Sequence, residues 1–125
     1  MISMASIRSK NTRPELVVRR MLHALGFRFR LHRSDLPGTP DIVFPSKKKV
    51  VFVHGCFWHR HSCDWGRKVP PGKPEYWKAK FARNVTRDTR DVRALEAVFG
   101  WTVLIIWECE VKNPDALRAR LLGFL

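Results

Sequence analysis

The sequence predicts an α/β domain in which a mixed sheet is flanked by helices. Three observations predict it. Helical and strand patterns follow one another as helix, three strands, helix, strand, helix. Tight turns join the first three strands, as in an antiparallel meander. The fourth strand comes after a long helix and is expected to add to the sheet in a different direction from its neighbour, which makes the sheet mixed.

Residues 1–11 are polar and basic, with Met4 and Ile7 as isolated apolar side chains, and read as a flexible arm ahead of a single domain over 12–125. Thr12-Arg13-Pro14-Glu15 fits a capping box, with Thr12 as N-cap and Glu15 three residues on. Val17, Val18, Met21, Leu22 and Leu25 make the apolar stripe of the first helix, which Gly26 stops. From Phe27 to His32 the chain alternates, placing Phe27, Phe29 and Leu31 on one face and Arg28, Arg30 and His32 on the other, which predicts a half-buried strand. The turn Leu36-Pro37-Gly38-Thr39-Pro40 leads to a short strand, Asp41 to Phe44. After Pro45-Ser46-Lys47-Lys48 a buried strand runs from Lys49 to Val53.

Residues 66–74 are rich in Gly, Pro and basic side chains and form a loop. A long helix follows, about Glu75 to Phe99, with Trp77, Phe81, Val85, Val92, Leu95 and Phe99 in one stripe. Asp88 lies in phase with that stripe, so it is either paired with a basic group or close to an active centre. Gly100 ends the helix, and Trp101 to Trp107 reads as a buried strand. Asn113-Pro114 starts a final helix with Leu117, Leu121 and Leu122 inward.

Composition narrows the class. A chain of 125 residues with 45% hydrophobic content suits one folded core. The apolar runs are too short to cross a bilayer and the first residues lack a signal-peptide pattern, so a soluble cytoplasmic protein with no membrane partner is expected. Lys plus Arg number 24 against 11 Asp plus Glu, a net charge of +13 spread along the chain. This favours a surface that meets phosphate backbones over one that is merely soluble or that binds an anionic membrane. Three cysteines cannot close into a disulfide framework, and their clustering with histidine points to metal.

That clustering is densest at His54 to Cys63, ten residues that hold three of the five histidines and two of the three cysteines. Cys56, His61 and Cys63, with Cys109 at the end of the last strand, offer the thiolate and imidazole donors of a tetrahedral zinc. Such a set has no open position, so the ion would be structural; the bland alternative is buried free thiols beside a chance histidine. Asp41 starts one strand and His54 ends the next, so antiparallel pairing brings them to the same sheet end, and His59 follows in the loop. A carboxylate and two histidines together can hold magnesium, activate water and protonate a leaving oxygen. Singly, Asp41 is also an ordinary turn residue after Pro40, His54 a satisfied strand-end histidine, and Glu15 a helix cap.

At these residues the chain resembles a known family. L-P-G-T-P-D-I-V at 36–43, V-F-V-H-G-C-F-W-H-R-H-S-C at 51–63, Y-W-K-A-K-F-A-R-N-V at 76–85 and V-L-I-I-W-E-C at 103–109 are similar to the Vsr (very short patch repair) endonucleases. The resemblance implies a restriction-endonuclease-like fold related to the PD-(D/E)xK nucleases, catalytic magnesium and structural zinc. It implies strand cleavage 5′ of the thymine in T:G mismatches left by deamination of 5-methylcytosine. By that likeness Asp41 binds the catalytic metal with the backbone oxygen of Val53, where the family often has threonine. His54 and His59 are the catalytic histidines, with His59 the general base, and Glu15 orients a histidine. Cys56, His61, Cys63 and Cys109 hold zinc. Phe57 and Trp58, with Met4 from the arm, wedge between bases; Trp77 supports them, and Lys80, Asn84 and Arg87 meet DNA. Core packing is the alternative for Phe57 and Trp58, against which stands their place among polar ligands. The Glu-x-Lys of generic superfamily members is missing, and His54 stands near its place.

Three functions compete at this stage: a mismatch-directed nicking enzyme, a Vsr-like nicking or restriction enzyme acting on intact DNA, and a zinc-stapled DNA-binding module without catalysis. The first implies double-stranded DNA as partner, a functional link to a cytosine methyltransferase and downstream repair proteins, a monomer, and a bacterial cytoplasm.

Overall fold

A computed structural model describes residues 11–125. The expected arm, apart from Asn11, and with it Met4, lies outside the described residues. The elements are α1 (Arg13–Ala24), β1 (Arg30–Leu31), β2 (Ile42–Phe44), β3 (Lys49–His54), α2 (Pro74–Ala97), β4 (Thr102–Trp107) and α3 (Pro114–Phe124). The four strands form one mixed sheet in the order β1-β2-β3-β4. β1, β2 and β3 pair antiparallel, and β4 joins β3 in parallel after the α2 crossover. The expected meander and the mixed sheet are present, but β4 runs in the same direction as its neighbour β3 rather than in a different one, because a helical crossover carries the chain back to the end from which the previous strand started.

Helices cover both faces of the sheet. Ile42, Phe44, Val51 and Ile106 pack with Val18 and Leu22 of α1 and Leu117 and Leu121 of α3. Val43, Val50 and Phe52, which alternate with them, face the other way and pack with Leu95 of α2 and with Leu36. This is why β2 is buried along its whole length and reads as a continuous apolar run. No helix among the described residues is long and apolar enough to cross a membrane.

Four further element-level expectations are corrected. The strand expected from Phe27 to His32 pairs only at Arg30 and Leu31, because its partner β2 offers just three residues; Phe27, Phe29 and Leu31 still pack on the core. β4 is half-buried rather than buried, being the sheet's edge. Val85 and Phe99 of the long stripe are each 42% exposed. A helix of 24 residues spans about 36 Å and overhangs strands of six residues, about 20 Å long. Leu122 is 44% exposed, while Leu117 and Leu121 carry the contact of α3.

Two consequences of this topology position the site. Parallel pairing sets His54 opposite Trp107, so the loop after β3 and the residues after β4 leave the sheet side by side. Antiparallel pairing of β2 with β3 brings the start of β2, and Asp41 before it, to that same end. The carboxyl ends of parallel strands are a general location for ligand sites in α/β sheets.

Candidate active site and metal centre

The capping box forms by half. The Glu15 N–H donates to Thr12 Oγ1 at 3.4 Å, but the Glu15 carboxylate turns into the protein. It is 1% exposed and meets His32 Nε2 at 2.9 Å and Arg19 Nη1 at 3.3 Å on the same oxygen. The histidine that Glu15 touches is therefore His32. His32 leaves the sheet with φ +49°, and its N–H donates to the Asp41 carbonyl at 3.1 Å. The alternating pattern placed His32 outward among arginines; a positive φ at a non-glycine residue leaves no signal in a sequence.

Asp41 Oδ2 accepts from the Val53 N–H at 2.7 Å, which ties the start of β2 to the end of β3. Burial pushes the Asp41 carboxyl up to about 7; the Val53 N–H opposes this, and the neighbouring Glu15 carboxylate adds to it. Glu15, His32 and Asp41 each offer a ligand atom, and all three atoms lie within 4.8 Å of one another.

His54 and His59 stack face to face, with centroids 3.8 Å apart and planes 8° from parallel. Burial holds His54 down to about 3, with His59 and Arg87 acting in the same direction against Asp88, so its imidazole is neutral at pH 7. Its Nδ1 is buried with no partner among the described residues, an unusual state for a polar atom. Asp88 resolves the choice left open by the helical stripe: its Oδ2 meets His59 Nδ1 at 2.5 Å. Asp41, His54, His59 and Asp88 all line a cavity of about 950 Å³, along with His32 and Arg87.

Phe57 and Trp58 stand at the same cavity, half-buried and perpendicular to each other at 4.9 Å. Phe57 packs edge-on against the buried Phe81 at 5.3 Å, and Trp77 stacks on Phe81 at 5.5 Å. The Asn84 amide donates to the Trp58 carbonyl at 3.1 Å, and Lys80 Nζ lies 5.8 Å from the Trp58 ring. Arg60 sits 3.9 Å above the Phe81 ring and donates to the carbonyls of Phe57 and Lys68. Sequence reading passed over Arg60, which clamps the base of the aromatic cluster.

Beside this lies a second knot. The ligand atoms of Cys56, His61, Cys63 and Cys109 fall within 4.8 Å of one another. His61 Nδ1 is 3.9 Å from Cys56 Sγ and 3.5 Å from Cys109 Sγ. A tetrahedral zinc with ordinary bond lengths needs an N···S edge of about 3.6 Å, so the donor set fits such an ion. Cys109 N–H and Gly66 N–H donate to the sulfurs of Cys56 and Cys63, each at 3.4 Å. A Cβ at Gly66 would lie 2.0 Å from the His61 carbonyl oxygen, so only glycine fits that close approach. The set does not overlap with the carboxylate and histidine group.

A basic α/β chain with carboxylates and stacked histidines gathered at one sheet end has the features expected of a nucleic-acid hydrolase. Comparison with known proteins takes this to a family. The model of DNA mismatch endonuclease Vsr matches residues 1–65. The chain is 55% identical to the type II nicking enzyme V.XorIIP of Xanthomonas oryzae over 98% of its length and 88% of that protein. It is 43% identical to the type II nicking enzyme V.NmeAIP of Neisseria meningitidis, over 94% of the chain and 83% of the relative. It is 40% identical to the DNA mismatch endonuclease Vsr of Escherichia coli, over 92% of the chain and 72% of the relative. The chain belongs to the Vsr family and is a DNA endonuclease.

Proposed function

We propose that this endonuclease cuts one strand of duplex DNA on the 5′ side of the thymine in a T:G mismatch, with magnesium at Asp41 and a structural zinc at Cys56, His61, Cys63 and Cys109. The observation that carries this reading is the convergence of Asp41, His54 and the His59–Asp88 pair on a cavity flanked by Phe57 and Trp58. The sheet and its helices suit the restriction-endonuclease-like fold that the family resemblance implies.

Asp41, with the Val53 backbone oxygen, would hold the catalytic cation, which when bound supplies charge neutralisation at the phosphodiester and acidifies water. The orphaned Nδ1 of His54 and the raised Asp41 carboxyl both suit a site completed by a phosphate and a cation. His59, with its Nδ1 proton donated to Asp88, keeps a lone pair on Nε2 and acts as general base toward water. His54 stays neutral until a phosphodiester anion beside it favours the imidazolium, and then donates to the departing oxygen. Glu15 acts through His32. Arg87 and Lys80 face the DNA backbone, and Asn84 holds the Trp58 loop. Phe57 and Trp58 open the stack beside the mismatch, with Trp77 behind them. Unstacking costs a few kcal/mol per step and less at a mismatched pair.

One finding favours a second reading. The relatives at 55% and 43% identity are named type II nicking enzymes, so the same wedge could open a deformable step within an intact sequence. Under the mismatch reading the enzyme works as a monomer in a bacterial cytoplasm, linked to a cytosine methyltransferase and to downstream repair proteins. The test uses purified protein, magnesium and duplexes that differ only in one T:G or C:G pair. Nicking of the T:G duplex alone is expected; equal nicking of both would overturn the mismatch reading in favour of the second.

A further inference from the structure

We propose that His32 completes, with Glu15 and Asp41, a three-donor cation site, and that its imidazole extends the enzyme's metal use to manganese and related transition cations. The inference rests on the reading of Asp41 as a metal-binding carboxylate and adds two protein donors to it.

The three donors come from different segments: Glu15 from α1, His32 from the end of β1 and Asp41 from the start of β2. Their ligand atoms lie within 4.8 Å of one another. His32 Nε2 and Glu15 Oε2 are 2.9 Å apart. Two neighbouring donors of an octahedral ion with bonds of about 2.1 Å stand about 3.0 Å apart, so this pair already has the edge of such a site. His32 is pinned there by its N–H bond to the Asp41 carbonyl, with a backbone φ of +49°. That conformation is sparsely populated outside glycine, and it turns the ring toward the carboxylates.

Charge argues the same way. Glu15 is almost wholly buried and Asp41 sits beside it, so ionising both carboxyls sets like charges against each other. Arg19 meets Glu15, but Asp41 has only the Val53 N–H as a hydrogen-bond donor among the described residues. A divalent cation between the two carboxylates removes their repulsion. A site of oxygens alone suits magnesium; adding imidazole raises affinity for manganese, cobalt and nickel relative to magnesium. The site opens on the cavity that holds His54 and His59, where an ion would meet a phosphodiester.

The test uses zinc-replete protein without DNA and manganese as the probe. Free Mn²⁺ is followed by electron paramagnetic resonance, and bound Mn²⁺ by pulsed measurements of ¹⁴N coupling. Wild-type protein is expected to bind Mn²⁺ with imidazole coupling. His32→Gln, which keeps a hydrogen-bond donor toward Glu15, should lose the coupling and bind about tenfold more weakly or worse; His32→Ala should do the same, with circular dichroism and zinc content unchanged. His54→Gln should keep the coupling. Coupling or full affinity retained in His32→Gln, or no Mn²⁺ binding by wild type, would overturn the proposal. If Asp41→Ala abolishes binding while His32→Gln retains it, the metal role of Asp41 stands and only the His32 inference falls. If both variants retain it, both fall.

Discussion

His59 Nδ1 lies 2.5 Å from Asp88 Oδ2, across 29 residues of sequence and from a loop to the middle of α2. A carboxylate at Nδ1 favours the tautomer with the proton there, which leaves Nε2 free for the base role proposed for His59. Asp88→Asn keeps the size of the side chain and favours the wrong tautomer. The corresponding change in a serine-protease triad costs about 10⁴ in kcat; a loss of about 10² to 10⁴ in single-turnover nicking is expected here, with DNA affinity within twofold and a changed pH–rate profile. A rate within a few-fold of wild type would show that Asp88 does not position His59.

His54 and Asp41 pull stability in opposite directions with pH. His54 is held down to about 3 from 6.5, so between those values the unfolded chain binds the extra proton and stability rises with pH. Asp41 is held up to about 7 from 3.8, so across that window the folded chain binds the extra proton and stability falls as pH rises. Each contributes up to about 1.4 kcal/mol per pH unit, and in the metal-free wild type the two partly cancel. Urea unfolding from pH 4 to 6.5 is expected to show a rising slope in Asp41→Asn and a falling one in His54→Gln. The same slope in both variants would contradict the burial of these groups.

With the proposed zinc bound, the Cys/His knot should behave as a staple between the β3 loop and the end of β4. A closed Cys/His site can supply on the order of 10 kcal/mol to folding. Cys63→Ser is expected to lower bound zinc well below one per chain by atomic absorption and to depress Tm by ten degrees or more, about 2 kcal/mol or above in a chain this small. One zinc retained at unchanged Tm would break the ligand assignment.

The aromatic pair divides between packing and DNA. Phe57 packs on buried Phe81, so Phe57→Ala is expected to cost stability, about 2 kcal/mol, as well as activity. Trp58 meets the half-buried rings of Phe57 and Trp77 and the Lys80 ammonium, and it is itself only half-buried. Trp58→Ala should leave Tm within a few degrees, yet weaken binding to a T:G duplex and abolish the fluorescence rise of a 2-aminopurine placed beside the mismatch. An undiminished rise would remove Trp58 from the wedge.

How much of this was legible in the chain follows from what kind of contact each residue makes. The core was legible because burial on both sheet faces writes apolar runs such as Ile42 to Phe44, and because Gly26 and Gly100 end helices. The knot of Cys56, His61, Cys63 and Cys109 was legible because its donors are rare residue types. Asp88 was half legible: a carboxylate in an apolar stripe announces a partner without naming it. His32 was not, since the strand alternation predicts an outward ring and only a left-handed backbone at that one residue reverses it. The short pairing of β1 was also hidden, since strand length depends on a partner whose own length is set by turns at Pro40 and Pro45.

The most direct measurement compares wild type with Asp41→Ala in single-turnover nicking of a T:G duplex in magnesium, with DNA affinity and zinc content measured on the same preparations. A fall of about 10³ or more in rate is expected, with affinity and zinc unchanged. Cleavage retained by Asp41→Ala within tenfold of wild type would contradict an active centre built on Asp41, His54 and His59.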